Sequence, residues 1–116
     1  MQRILKAARS VHKSLGPGLT ERTYHNAMEV ALKNKGIPYK SEVTQFLEYK
    51  GERVGHIRSG LIVDNSLLIE LKSTNSISSN TILKTKASMD AFGLDEGLIL
   101  NFGTSEVGHQ SLKGSP

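Results

Sequence analysis

The feature that most constrains the fold is a pair of short apolar runs separated by a helical segment. The first run covers residues 67–72 and ends in charge, and the second covers residues 97–102. Apolar runs of this length are typical of strands that are buried on both faces. Between them lie a Ser-, Thr- and Asn-rich loop at 73–80 and a helical pattern at 81–92 that Gly93 ends. This strand, helix, strand order predicts two parallel neighbours in an α/β sheet.

The segment before these runs adds two helices and further strands. Apolar residues recur at helical spacing over residues 2–14 and 20–35, and glycine with proline ends each pattern. Alternation from residue 39 predicts a hairpin that turns at residues 50–52, and a further segment of strand, His56 to Val63, leads through a turn into the run at 67–72. The order α-α-β-β-β-α-β predicts a mixed sheet of about four to five strands flanked by helices.

A single domain is expected over residues 1–103. The chain has 116 residues, which is enough for one modest hydrophobic core. The stretch after it, residues 104–116, is polar and contains Gly and Ser, so it is expected to be an edge strand or a flexible tail.

Composition narrows the class of protein. The chain has no cysteine, which excludes disulfides and thiolate metal sites and fits a cytoplasmic localisation. It has no apolar run approaching the roughly 18 residues that a membrane span needs, so no membrane partner is expected. The net charge of +4 mildly favours a polyanion such as nucleic acid as a partner.

Glu70 and Lys72 close the first apolar run. Strand side chains alternate, so both point to one face, about 7 Å apart along the chain. A carboxylate that holds a divalent cation and an ammonium that orients the attacking water are what phosphodiester hydrolysis requires. On spacing alone, an ordinary salt bridge at an exposed strand end explains the pair better. The surrounding sequence has to decide between them.

Several sequence blocks in the same order resemble a known family. The blocks are Val11 to Leu19, Gly18-x-x-Glu21-x-x-Tyr24, Tyr49-Lys50-Gly51 with Val54-Gly55, Ile69 to Lys72, and Gly97 to Gly103. They are similar to the blocks of the GxxExxY family, which is placed in the PD-(D/E)XK nuclease-like superfamily. The resemblance implies a restriction-endonuclease-like fold and a metal-dependent nuclease that uses Mg²⁺ or Mn²⁺.

The resemblance also implies roles for individual residues. Glu70 would be a metal ligand, and Lys72 would orient the water or stabilise the transition state. Glu21 would complete the metal sphere, or it would only complement the helix dipole as a first-turn glutamate. Tyr24 fits the core as well as the site. His12 could line the pocket or be a hydrogen-bonded residue near the helix end.

The chain departs from the family pattern at residue 60. Where the family usually has an aspartate that binds the metal, this chain has Gly60, which has no side chain to bind a cation. Asp64 is a poor substitute, because it lies about 13 Å farther along an extended strand. Glu42, on a neighbouring strand, could take the role if its side chain faces the same side.

A second departure adds positive charge. In the helix before the last strand, Lys84 stands where the superfamily often has glutamine, and Lys86 is close by. With Arg58 and Lys72 they are the expected nucleic-acid contacts, although a solvated basic helix face explains the two helix lysines as well.

Two functions therefore follow from the sequence. The first is a metal-dependent nuclease that hydrolyses DNA or RNA, with a degenerate site at Gly60. The alternative is a catalytically inactive nuclease-fold module that binds nucleic acid or a protein partner as a homodimer, since a small open sheet leaves strand edges that invite pairing.

Overall fold

The computed structural model describes residues 1–114, which form three helices and seven strands. The helices are α1 (Gln2–Leu15), α2 (Glu21–Asn34) and α3 (Ser79–Phe92), and the strands are β1 (Tyr39–Ser41), β2 (Thr44–Tyr49), β3 (Glu52–Arg58), β4 (Leu61–Val63), β5 (Leu67–Lys72), β6 (Glu96–Asn101) and β7 (Gly108–Lys113). None of the helices described is long and apolar enough to cross a membrane. The last two residues of the predicted tail, 115 and 116, lie outside the described residues.

A five-stranded sheet in the order β1-β4-β5-β6-β7 forms the centre of the domain. β5 and β6 are parallel, with Glu70 opposite Ile99 and Lys72 opposite Asn101, and α3 makes the crossover between them. The other neighbours are antiparallel, including β7 beside β6. The predicted mixed α/β sheet flanked by helices is thus confirmed.

The predicted strand from His56 to Val63 is wrong, because it is two strands in two different sheets. β3 pairs only with β2, as a separate hairpin, whereas β4 lies between β1 and β5. The chain leaves the hairpin at Ser59, whose N–H donates to the Val43 carbonyl oxygen (2.9 Å) and whose hydroxyl accepts from the Val43 N–H (2.9 Å). At the next residue the Gly60 carbonyl oxygen accepts from the Glu42 N–H (3.0 Å). These contacts lie where the β2–β3 pairing ends and the β1–β4 pairing begins.

Alternation along the central strands divides the core into two clusters. Leu67, Ile69 and Leu71 face α1 and α2, in a cluster that also contains Tyr24 and Phe102. The other face carries Leu68 of β5 with buried side chains from β4, β6, β7 and α3. Glu70 and Lys72 continue the row of Leu68, so both belong to the face that α3 covers.

Candidate nucleic-acid cleft

Glu70 lies one residue past the stretch in which β5 pairs with the short strand β4. The last paired residues of these strands are Leu61 and Ile69, so Gly60 is the next neighbour across from Glu70. The Gly60 backbone lies beside the Glu70 carboxylate and favours its charged form. Burial raises the pKa of Glu70 above its ordinary value, and nearby Glu21 adds to the rise, whereas the Gly60 backbone and Lys72 lower it. The glutamate is therefore held in a partly desolvated position that disfavours its charge.

The raised pKa of Glu70 gives an expected pH dependence of stability. Between the ordinary pKa of 4.5 and the raised value, the folded protein binds more protons than the unfolded chain does. The free energy of unfolding contributed by this group therefore falls as the pH rises through that window. We expect Glu70→Gln to remove this slope and to be more stable than the parent at neutral pH, by about 1.4 kcal/mol for each unit of pKa shift.

Urea unfolding followed by circular dichroism from pH 4 to pH 8 checks this expectation, with the exposed Glu52→Gln as a control. The lowered pKa of Glu42 acts below 4.5, so it does not overlap the window of Glu70. A Glu70→Gln curve that runs parallel to the parent curve would contradict the assignment.

Lys72 pairs with Glu21 and not with its strand neighbour Glu70. The Lys72 Nζ lies 3.5 Å from the Glu21 Oε2, and the same oxygen accepts a hydrogen bond from the Ser73 N–H (3.3 Å). Thr20 caps α2 by accepting from the Thr23 N–H (3.2 Å), which sets Glu21 in the first turn. The Glu21 carboxylate thus joins the start of α2 to the end of β5.

Glu42 lies next to Gly60 but is held by two arginines. Its carboxylate makes ion pairs with Arg22 and with Arg58, the second at 2.8 Å. The hydrogen bond from Arg22 is the main reason that the pKa of Glu42 is lowered, and the charge of Arg58 contributes. Glu42 also has a left-handed backbone conformation, with φ 55°. The carboxylate that could replace the missing aspartate is therefore already neutralised.

Two adjoining hollows share Arg58 and Glu70 and together make one cleft. The first lies toward α2, and the second lies toward α3, where Lys72 and Lys84 line it with hydroxyl and amide side chains. The charged residues that line the cleft are Glu21, Arg22, Glu42, Arg58, Glu70, Lys72 and Lys84. Four of these side chains are cationic and three are acidic, but in the hollow toward α3 three cations, Arg58, Lys72 and Lys84, surround the single carboxylate of Glu70. That part of the cleft is suited to phosphate groups.

The carboxylates of the cleft are not grouped as a ready metal site. Among residues 1–114 no set of three or more His, Asp or Glu side chains could hold a metal ion together. Glu21 would have to release Lys72, and Glu42 would have to release two guanidinium groups. A Cβ at residue 60 would lie 2.5 Å from the Ile69 carbonyl oxygen, so the backbone leaves no room for an aspartate there. The donor set fits Mg²⁺ or Mn²⁺ poorly.

Two of the predicted pocket residues lie away from the cleft. The Tyr24 ring is fully buried and stacks on Phe102, with ring centroids 4.6 Å apart, and its hydroxyl donates to the Gly16 carbonyl oxygen. His12 is also buried, and its Nε2 donates to the Thr104 carbonyl oxygen (2.8 Å). Both residues fix loops around the core and do not line the cleft.

The α3 lysines differ in position. Lys84 lines the cleft together with Lys72 and Arg58, whereas Lys86 is exposed and is not part of the lining. One helical turn before Lys84, the cleft is completed by Asn80 and Thr81. Of the two lysines, Lys84 is the one placed to meet a phosphate group bound beside Glu70.

Sequence reasoning missed Arg22 and His25, which also line the cleft. His25 is buried, and its Nε2 lies 2.8 Å from the Ser41 hydroxyl and 3.1 Å from the Glu29 carboxylate. A signal was present, because Glu21, His25 and Glu29 follow one another at intervals of four residues and so share one face of α2. That face is polar and lies beside the buried stripe of Tyr24, Met28 and Leu32.

Comparisons with known proteins agree with this fold. A sequence profile described as PD-(D/E)XK nuclease superfamily matches residues 1–113. The crystal structure of SSO0001 is similar, with a TM-score of 0.65 at 17% sequence identity, and the match covers 83% of this chain and 51% of that chain. The chain thus spans about half the length of that protein. No protein of curated function matches the sequence. The narrower resemblance to the GxxExxY family stays a prediction, whereas the profile match shows that this chain belongs to the PD-(D/E)XK nuclease superfamily.

Proposed function

We propose that this nuclease-superfamily domain binds nucleic acid in the cleft and has lost most of its ability to cleave it. The proposal rests on one observation: Arg58, Lys72 and Lys84 line the same hollow as Glu70. Lys84 makes no ion pair with any residue in 1–114, so its charge is available to a phosphate group. Hydroxyl and amide side chains beside it can donate to the same phosphate oxygens.

The loss of cleavage follows from the state of the carboxylates. Members of the superfamily generally use divalent metals, and a metal site needs anionic oxygen ligands that can converge on one ion. Here residue 60 has no carboxylate, Glu42 is neutralised by arginines, and burial raises the pKa of Glu70. The guanidinium groups supply in the cleft the positive charge that a metal ion would bring to a bound phosphate.

A second candidate function is a nuclease that works with Mg²⁺ or Mn²⁺. It is favoured by one observation, the presence of Glu70, Lys72 and Glu21 in the same cleft. Glu70 and Glu21 would then hold the ion, which would polarise the phosphate. Lys72, released from Glu21, would stabilise the charge that develops on the phosphate.

One pair of assays separates the two candidates. We expect the purified chain to bind labelled duplex DNA, single-stranded DNA or RNA in EDTA, measured by fluorescence anisotropy, with an affinity that falls steeply as salt rises. In Mn²⁺ we expect plasmid and RNA to remain intact. Cleavage by the parent chain that disappears in Lys72→Ala would overturn the binding-module proposal in favour of the nuclease.

The partners proposed from the sequence include a second copy of the chain. The short strand β1 and the strand β7 are the two edges of the central sheet, and each offers backbone groups that a second chain could pair with. Light scattering of the sample used for the binding assay measures the oligomeric state. The absence of cysteine supports the proposed cytoplasmic localisation.

A further inference from the structure

The β2–β3 hairpin stands apart from the central sheet. Its two strands pair only with each other, and most of their residues are exposed. It is fixed to the domain at its base, by the two hydrogen bonds between Val43 and Ser59. Phe46, in the middle of β2, is 47% exposed. The proposed cleft function uses Arg58 at the base of this arm and gives the rest of the arm no role.

One face of the hairpin carries an aromatic ring between cationic side chains. Phe46 and His56 are cross-strand partners, with ring centroids 6.4 Å apart. The register shifts after Leu47, which brings Arg53 onto the same face, with its guanidinium carbon 4.0 Å from the Phe46 ring centroid. Arg58 follows two residues after His56 and so shares the face. We call Phe46, Arg53, His56 and Arg58 the hairpin stripe.

The hairpin stripe begins in the cleft, because Arg58 lines both of its hollows. From Arg58 to Arg53 the strand extends for five residues, or about 16 Å. Adjacent phosphates on one strand of a duplex are spaced about 3.4 Å along the helix axis, so the stripe spans about five steps. A strand that leaves the cleft past Arg58 would therefore meet cationic and aromatic groups along the whole arm.

We infer that the hairpin stripe is a second nucleic-acid contact, along which a strand bound in the cleft continues. The inference rests on the proposed function and adds to it the length and direction of the bound segment. The Arg53 and Phe46 pair has the chemistry for this, because a guanidinium plane and an aromatic ring both stack on bases. A two-stranded ribbon of this width also fits the major groove of a duplex.

Charge favours nucleic acid over a protein partner for this face. By alternation, Glu48 is the acidic residue that shares the face within the described hairpin 44–58, against the two guanidinium groups of Arg53 and Arg58, of which Arg58 also pairs with Glu42. The apolar side chains Tyr49 and Val54 are exposed near the tip, but Tyr49 lies by alternation on the opposite face from Phe46, and Val54 lies at the bulge where the register shifts. Arg58 also lines the hollow that contains Lys72 and Lys84, and this continuity is the argument for a polyanion.

The test compares two matched pairs of substitutions. The hairpin has a second aromatic and cation pair, Tyr49 with Lys50, whose ammonium nitrogen lies 5.4 Å from the ring centroid at the turn. Phe46→Ala/Arg53→Gln removes one aromatic ring and one cation from the stripe, and Tyr49→Ala/Lys50→Gln removes one aromatic ring and one cation outside it. Both variants and the parent are assayed by fluorescence anisotropy with single-stranded and duplex probes of DNA and RNA, each in a short and a long form, after melting curves show that they fold.

We expect the stripe variant to bind long probes about 10-fold more weakly than the parent, and short probes that only fill the cleft equally well. The control variant should bind both as the parent does. Parental affinity of the stripe variant for long probes, while Lys72→Ala weakens binding, would overturn the hairpin inference and leave the cleft proposal standing. A stripe variant that changes only the oligomeric state would overturn it in favour of a protein partner.

Discussion

Replacing Gly60 by aspartate is expected to destabilise the domain without creating a metal site. A Cβ at residue 60 would lie 2.5 Å from the Ile69 carbonyl oxygen, which is backbone and cannot turn away, so β4 and β5 would have to separate. Overpacking of this kind costs about 1–3 kcal/mol. The new carboxylate would also face Glu70, whose Oε2 would be 3.6 Å from the added Cβ, and like charges repel. We expect a total loss of about 3 kcal/mol in the free energy of unfolding.

Gly60→Ala is the matched control, because alanine adds the same Cβ without the charge. Both variants should lose stability in urea unfolding, and the difference between them measures the repulsion from Glu70. Calorimetric titration with Mn²⁺ should show no tight binding to Gly60→Asp. If that variant is as stable as the parent, binds Mn²⁺ and cleaves plasmid, the backbone still accommodates the family ligand and the loss of cleavage has a simple cause.

The largest effect on binding is expected when three cleft cations are removed together. Arg58, Lys72 and Lys84 line the cleft around Glu70. The triple variant leaves the Glu70 carboxylate in place. We expect Arg58→Gln/Lys72→Gln/Lys84→Gln to weaken binding of duplex DNA by a factor of about 100 to 1,000 at low salt. The slope of log affinity against log salt should fall by about three, because each phosphate contact releases about one counterion.

The control for this variant must lose the same charge elsewhere. Lys6→Gln/Lys33→Gln/Lys40→Gln does so at exposed positions outside the cleft lining. A small and equal loss in both variants would mean that net charge alone attracts the polyanion, and the cleft would then have no special role. Melting curves of both variants show whether the folds are intact.

The parts of the fold that were predictable are those with strong local patterns. Residues 67–72 and 97–102 are apolar because both faces of β5 and β6 are covered, and their parallel pairing follows from the α3 crossover. β7 was harder to recognise, since it is an edge strand in which only Leu112 is buried, so most of its residues carry no apolar signal. The split of 56–63 was missed because two hydrogen bonds at Ser59, and not a turn sequence, end the hairpin.

The candidate site was predictable in position but not in its pairing. Alternation put Glu70 and Lys72 on one face, and both line the hollow toward α3. The family resemblance put residue 60 at the same site, and the β4–β5 register places Gly60 beside Glu70. The partner of Lys72, however, is Glu21 from a helix about fifty residues earlier in the chain. The ion pair between Arg22 and Glu42 depends on how α2 packs beside the segment between β1 and β2, and no local sequence pattern encodes that packing.

The walls of the cleft depend on two consecutive residues at the end of β6. The buried Asn101 accepts from the Thr74 N–H and donates to its carbonyl oxygen, both at 2.9 Å, and so holds the loop that follows Lys72. Phe102 supports the Tyr24 ring, whose hydroxyl accepts from the Leu19 N–H just before α2. The cleft therefore depends on contacts between segments that lie far apart in the sequence. It could not be transplanted to another scaffold as a short local motif.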